Sequence, residues 1–145
     1  MHGKRWGAAV LAVVGVLGLS ACGSESSTHE EAEPAKVEEI AGSDLSRITL
    51  TPEAAKRLDV KTASVRRANG ATVIPYAAIL YEPDGKTWTY TSPKPLTFVR
   101  APVVVERIAG DVAILSSGPA PGTKVATVAV AELFGAETGI DGSGH

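Results

Sequence analysis

From Thr72 to Val130 no apolar run lasts more than a handful of residues before Gly, Pro, Asn, Asp or another charged residue interrupts it. That punctuation limits the fold more than any other feature. The runs are Thr72–Ile74, Ala77–Tyr81, Thr87–Thr91, Leu96–Arg100, Val103–Ile108, Val112–Leu115 and Val125–Val130, rich in Val, Ile, Thr and aromatic residues. Each is too short for a helical face and suits a strand. Between them, Ala68-Asn69-Gly70, Asp84-Gly85 and Ala109-Gly110-Asp111 can supply the positive φ of a hairpin corner, and "GPAPG" (Gly118 to Gly122) excludes regular structure. The expectation is a mainly β chain, a small antiparallel β-roll or barrel with one short helix.

That helix belongs to "RITLTPEAAKRLDVKTASV". A strand over Arg47–Leu50 leads to Thr51, a capping hydroxyl, with Pro52 in the first helical position and Glu53 to Leu58 as good helix formers. Two turns are too few to persist on propensity, so packing of Ala54, Ala55 and Leu58 must hold it. Val60–Val65 then resumes as a strand. At the other end, "AELFGAETGI" suggests a helical turn stopped at Gly135.

Upstream lies a different kind of sequence. "MHGKRWGAAVLAVVGVLGLSAC" has a basic start, an apolar run from Trp6 to Leu19 and small residues before Cys22, the layout of a secretory signal. The run is shorter than the roughly 20 residues a membrane-spanning helix needs. Leu19-Ser20-Ala21-Cys22 resembles the bacterial lipobox. That resemblance implies cleavage between Ala21 and Cys22 and a diacylglyceryl group on Cys22, the one cysteine of the chain. Two or more acyl chains anchor stably where one holds marginally.

Cleavage removes two of the 14 basic side chains and leaves 12 against 16 acidic ones. An acidic, scattered charge pattern excludes nucleic acid as a partner. It also leaves the lipid, rather than surface charge, to hold the membrane.

The stretch after Cys22, "GSESSTHEEAEPAKVEEIAGSD", has almost no large apolar residue to offset ordering entropy. The expected organisation is therefore a signal over 1–21, a lipidated Cys and flexible acidic tether over 22–44, a β domain over 45–140 and a disordered tail over 141–145.

Catalytic chemistry is hard to assemble from these residues. The three histidines lie at positions 2, 29 and 145, so the β domain has none, and the chain's one cysteine, Cys22, is taken up by its lipid in this reading. Glu82, Asp84, Glu106, Asp111, Glu132, Glu137 and the Ser116-Ser117 pair lack the spacing of an acid/base pair, a calcium loop or a nucleophile with its base. Glycines occur without a phosphate-binding pattern. Neither a metal, a cofactor beyond the lipid, nor an enzymatic activity is expected.

"ITLTPEAAKRLDVKTASV" and the stretch from "VIPYAAILYEPDGKTWTY" to "AELFGAETGI" resemble periplasmic adaptor (membrane fusion) proteins of RND-type efflux systems, heavy-metal branch. The resemblance covers nearly all of the β domain. It rests on the "TP" helix start, the "P-x-x-A-x-L-x-x-x-G-x-x-x-x-Y" hairpin, the "G-D" turn, the "G-x-x-P-G-x-x-V" loop and the closing "AEL-x-G-x-E-x-G-I". A full adaptor carries a lipoyl-like domain, usually a helical hairpin, and a β-barrel between those segments. Here only "RRANGA" separates Val65 from Thr72.

The resemblance thus implies a membrane-proximal domain alone, in which the two ends of a longer chain meet. It also implies a transporter of the inner membrane, or another envelope protein, as partner. Methionines near the N-terminus serve metal handling in that branch; Met1 alone stands here and leaves with the signal. Candidate contacts are Arg100, Glu106 and Arg107, which strand alternation can turn outward, and Leu133, Phe134 and Glu137 of the closing segment. The alternative is an envelope lipoprotein that itself captures a small ligand or metal ion.

Overall fold

Thr51 opens the first helix as the sequence predicts: its Oγ1 accepts the Ala54 N–H at 3.1 Å, with Pro52 at the first helical position. The computed structural model describes residues 33–139, which fall within one compact unit. The residues of the expected signal, Cys22, His29 and the tail over 141–145 lie outside the described residues.

The chain forms β1 (Ala35–Glu39), β2 (Ser46–Leu50), α1 (Pro52–Arg57), β3 (Thr62–Ser64), β4 (Arg66–Ala68) and β5 (Ala71–Pro75). It continues with β6 (Leu80–Tyr81), β7 (Thr87–Lys94), β8 (Thr97–Pro102), β9 (Val104–Ala109), β10 (Val112–Ser117), β11 (Lys124–Ala126) and α2 (Val130–Thr138). All pairings are antiparallel. A seven-stranded sheet runs β1-β2-β8-β7-β11-β3, with β6 also on β7, and a four-stranded sheet runs β4-β5-β10-β9. Neither sheet closes into a barrel.

Side-chain alternation explains how one sheet serves two cores. On β11, Val125 joins Val65, Ile74, Ala113 and Leu115 against the four-stranded sheet, whereas Ala126 joins Ile48, Leu50, Tyr90, Phe98 and Leu133 beneath the helices. The "IPYAAILY" stretch obeys the same rule: Ile79 packs in the first cluster and Leu80, paired with Trp88, borders the second.

Five expectations need correction. Ala35–Glu39, placed in the tether, is a strand paired with Ser46–Leu50; it takes its order from the neighbouring ladder rather than from apolar content of its own. Ala77–Tyr81 is not one strand, because Tyr76–Ala78 forms a 3₁₀ turn before β6. Leu96 lies at φ 60° in the β7–β8 turn. The last strand stops at Ala126, since Ala129 adopts a left-handed conformation and turns the chain into α2. That second helix passes through Gly135 and ends at Gly139, whose φ of 69° is the left-handed cap.

Candidate functional site

Tyr90 on β7 lies directly opposite Arg100 on β8, and alternation puts Trp88 and Phe98 on the same face. Arg100 therefore points beneath α2. Its side chain is 11% exposed, against the outward placement expected from sequence, and it meets two carboxylates. Nη1 donates to Glu82 Oε1 from the β6–β7 turn. Nε lies 3.3 Å from Glu137 Oε2 of α2 without an aligned hydrogen bond, so that half of the contact is Coulombic.

The aromatic side chains complete the enclosure. Trp88 Nε1 donates to Glu82 Oε2 at 2.7 Å, and Tyr90 donates its hydroxyl to Glu137 Oε2 at 2.5 Å. The guanidinium carbon stacks 4.5 Å from the Trp88 ring and 5.6 Å from the Phe134 ring. Ser46 N–H reaches Glu137 Oε1 at 3.4 Å. Burial pushes the Tyr90 phenol far above its ordinary range, and the Glu137 carboxylate beside it adds to the shift. Each buried charge is thus paired, and the cluster clasps α2 to β7 and β8.

This accounts for three of the predicted contacts as internal. Arg100 and Glu137 are partners of each other, and Leu133 is core at 1% exposure. Phe134 is half-buried against Arg100. Glu106 and Arg107 are exposed on the edge strand β9, at a register shift opposite Ile114 and Leu115, away from the clasp. A bulge bearing charges is how an edge strand resists further pairing.

Apart from the clasp, two open features of the described residues bear on function. The first is apolar: Tyr76, Tyr81 and Val104 are large hydrophobic side chains exposed there, Val104 at 55% and Tyr81 at 53%. The Tyr76 and Tyr81 rings stand 6.4 Å apart, and Tyr81, Trp88, Pro102 and Val104 line an open depression of about 680 Å³. Sequence reading missed this surface. Its signal was present in the aromatics, since a chain with three tyrosines shows two of them to solvent.

The second is a groove of about 470 Å³ between β1, α1 and α2. Leu50, Ala54, Leu58, Leu133 and Ala136 line it, with Arg57 and Glu132 among the charged residues along it. Among the described residues no three His, Cys, Asp or Glu side chains gather as a metal site, and no helix is long and apolar enough to cross a membrane.

Compared with known protein families, with curated proteins and with solved structures, the chain matches none of them.

Proposed function

We propose that this chain is a lipid-anchored, extracytoplasmic, non-enzymatic binding module of the periplasmic-adaptor type, serving an inner-membrane transporter or another envelope protein. The observation that carries the reading is the meeting of the two adaptor-like segments. β2 from the first pairs with β8 from the second, β3 pairs with β11, and α2 packs on β2. "RRANGA" supplies β4 and the turn to β5, a hairpin that closes the domain where a full adaptor inserts further domains.

The exposed Tyr76, Tyr81 and Val104 side chains supply the docking surface, as tyrosines and large apolar groups do at interface centres. A photocrosslinking residue at Tyr81 in intact cells should capture a membrane-transport protein, and deletion of the chain should impair export of metals or drugs. Recovery of no such protein together with unchanged export would end this reading.

The apolar groove favours a second reading, an envelope lipoprotein that captures a small ligand, because its volume lies within the roughly 300–1,000 Å³ of ligand sites. Calorimetric titration of the chain from Glu33 onward with metals and candidate drugs separates the two, since the adaptor reading expects little intrinsic affinity.

A further inference from the structure

We propose that a third opening, between the end of α1 and the β7–β8 turn, binds a small organic anion, a carboxylate or similar group on an apolar body. The inference is independent of the anchor and of the transporter. The opening measures about 460 Å³, within the roughly 300–1,000 Å³ of ligand sites. It exists because the helical cover of the larger sheet is short. α1 has six residues. Past its end the sheet face that carries Tyr90, Phe98 and Ala126 continues: Ser92 follows Tyr90 on β7, and Lys124 precedes Ala126 on β11, by the two-residue period of a strand. Phe98 is the floor at 2% exposure, and the half-buried Ala55, Val60 and Leu96 form the apolar wall.

Charge selects the occupant. The groove beside α2 sets Arg57 against Glu132, and the hollow beside the clasp sets Lys86 and Arg100 against Asp44, Glu82 and Asp84. The third opening has Lys94 and Lys124 along it and no acidic side chain. Neither lysine forms a salt bridge among the described residues, and Asp59, next to Val60 of the wall, is held by Lys61 at 2.6 Å. Two ammonium groups beside an apolar wall complement an anion with a hydrocarbon or aromatic body, and Thr62 adds a hydroxyl.

The turn that carries Lys94 is built ahead of binding. Pro93 and Pro95 fix φ on both sides of it, and Ser92 Oγ donates to the Lys94 carbonyl at 3.0 Å. Leu96, left-handed at φ 60°, accepts the Leu50 N–H on its carbonyl at 2.9 Å. A non-glycine residue keeps that conformation only where its surroundings impose it, as they do at ligand clamps. A turn already fixed loses little further freedom when the anion arrives.

The test uses the full chain in phosphatidylcholine nanodiscs, with octanoate as the probe. Acetylation of each lysine by a water-soluble amine reagent is read by mass spectrometry across an octanoate titration. Labelling should slow at Lys94 and Lys124 with a common dissociation constant and stay constant at Lys36, on the edge strand β1 at the far side of the sheet. Acetate should bind at least about tenfold more weakly, since burial of two methylenes suffices for that factor. Octylammonium should protect neither lysine. Lys94→Gln or Lys124→Gln should weaken octanoate binding at the remaining lysine by about two- to fivefold, and Lys94→Arg should leave it near the wild-type value. Equal protection by acetate reduces the effect to ion pairing at exposed lysines, and equal protection by octylammonium removes the selection by charge. Unchanged octanoate binding in both Gln variants removes the lysines from the site, and slowing at Lys36 as well shows non-specific association. Each of these results overturns the inference. Protection of Lys94 and Lys124 by phosphatidylglycerol nanodiscs without octanoate identifies a lipid headgroup as the occupant, which overturns the free anion.

Discussion

Gly85 has a φ of 86° and open space where a Cβ would project, so any penalty at this position comes from backbone conformation rather than from a clash. The turn around it is otherwise well made: Gly85 N–H bonds Glu82 C=O at 2.9 Å, and Lys86 N–H bonds Asp84 Oδ1 at 3.0 Å. Lys86 beside Asp84 holds that carboxyl below its ordinary range. Gly85→Val should cost about 1–2 kcal/mol, and Gly85→Asn clearly less, because Asn tolerates the left-handed region. Equal melting temperatures for the two variants would show that the turn is not the source of the constraint. Tyr90 makes a second residue-scale prediction. Its pKa is raised in the fold, so its stabilising contribution is complete below the unfolded value of about 10. Above that pH the unfolded chain releases the proton first, and stability should fall by about 1.4 kcal/mol per pH unit from this group. Unfolding titrations in alkali should therefore show a steeper loss for the wild type than for Tyr90→Phe; parallel slopes would contradict the buried, neutral phenol.

The clasp joins elements that lie far apart in the chain, and it explains why α2 runs past Gly135. Glu137 sits in the last turn, where Arg100 and Tyr90 can reach it only if the helix continues. Arg100→Met leaves Glu82 and Glu137 facing each other's charge in a largely dry site. It should cost about 3–5 kcal/mol in urea unfolding. Glu137→Gln, which keeps a hydrogen-bonding group beside Tyr90, should cost less, and the double variant should fall short of the sum because the residues share one network. Additive losses would mean that the two side chains act independently. The cap at Thr51, the Asp84-Gly85 turn and the alternation across Ile79, Leu80, Trp88 and Tyr90 were all readable in the sequence, because each depends on near neighbours. Arg100 was not. Alternation assigns it to the face of Phe98 but cannot say that α2 covers that face, and the choice between Gly135 and Gly139 as helix stop depends on the same tertiary contact. The exposed Tyr76 and Tyr81 escaped notice for the converse reason: only the sheet order leaves them uncovered.

At the scale of the whole molecule, the boundary between tether and domain decides what the anchored protein can do. The sequence sets it near Leu45, because Ala35–Glu39 carries little apolar surface; in the fold, that segment pairs residue by residue with β2, from Ala35 opposite Leu50 to Glu39 opposite Ser46. Thr51 N–H also bonds Pro34 C=O at 3.0 Å, and Ala35 packs against the helix-covered core. A chain begun at Ser43 loses all of this and one wall of the groove. Each backbone hydrogen bond contributes a net of about 0.5–1.5 kcal/mol, so the loss of several should lower stability by roughly 3 kcal/mol relative to a chain begun at Glu33. β2 would then become the edge of the sheet, with its outward backbone groups unpaired, and such an edge invites pairing between molecules. The chain begun at Ser43 should therefore unfold at lower urea concentration and self-associate in sedimentation, while the chain begun at Glu33 stays monodisperse at the same concentration. Identical midpoints would return residues 35–39 to the tether. The groove would then lose its β1 wall.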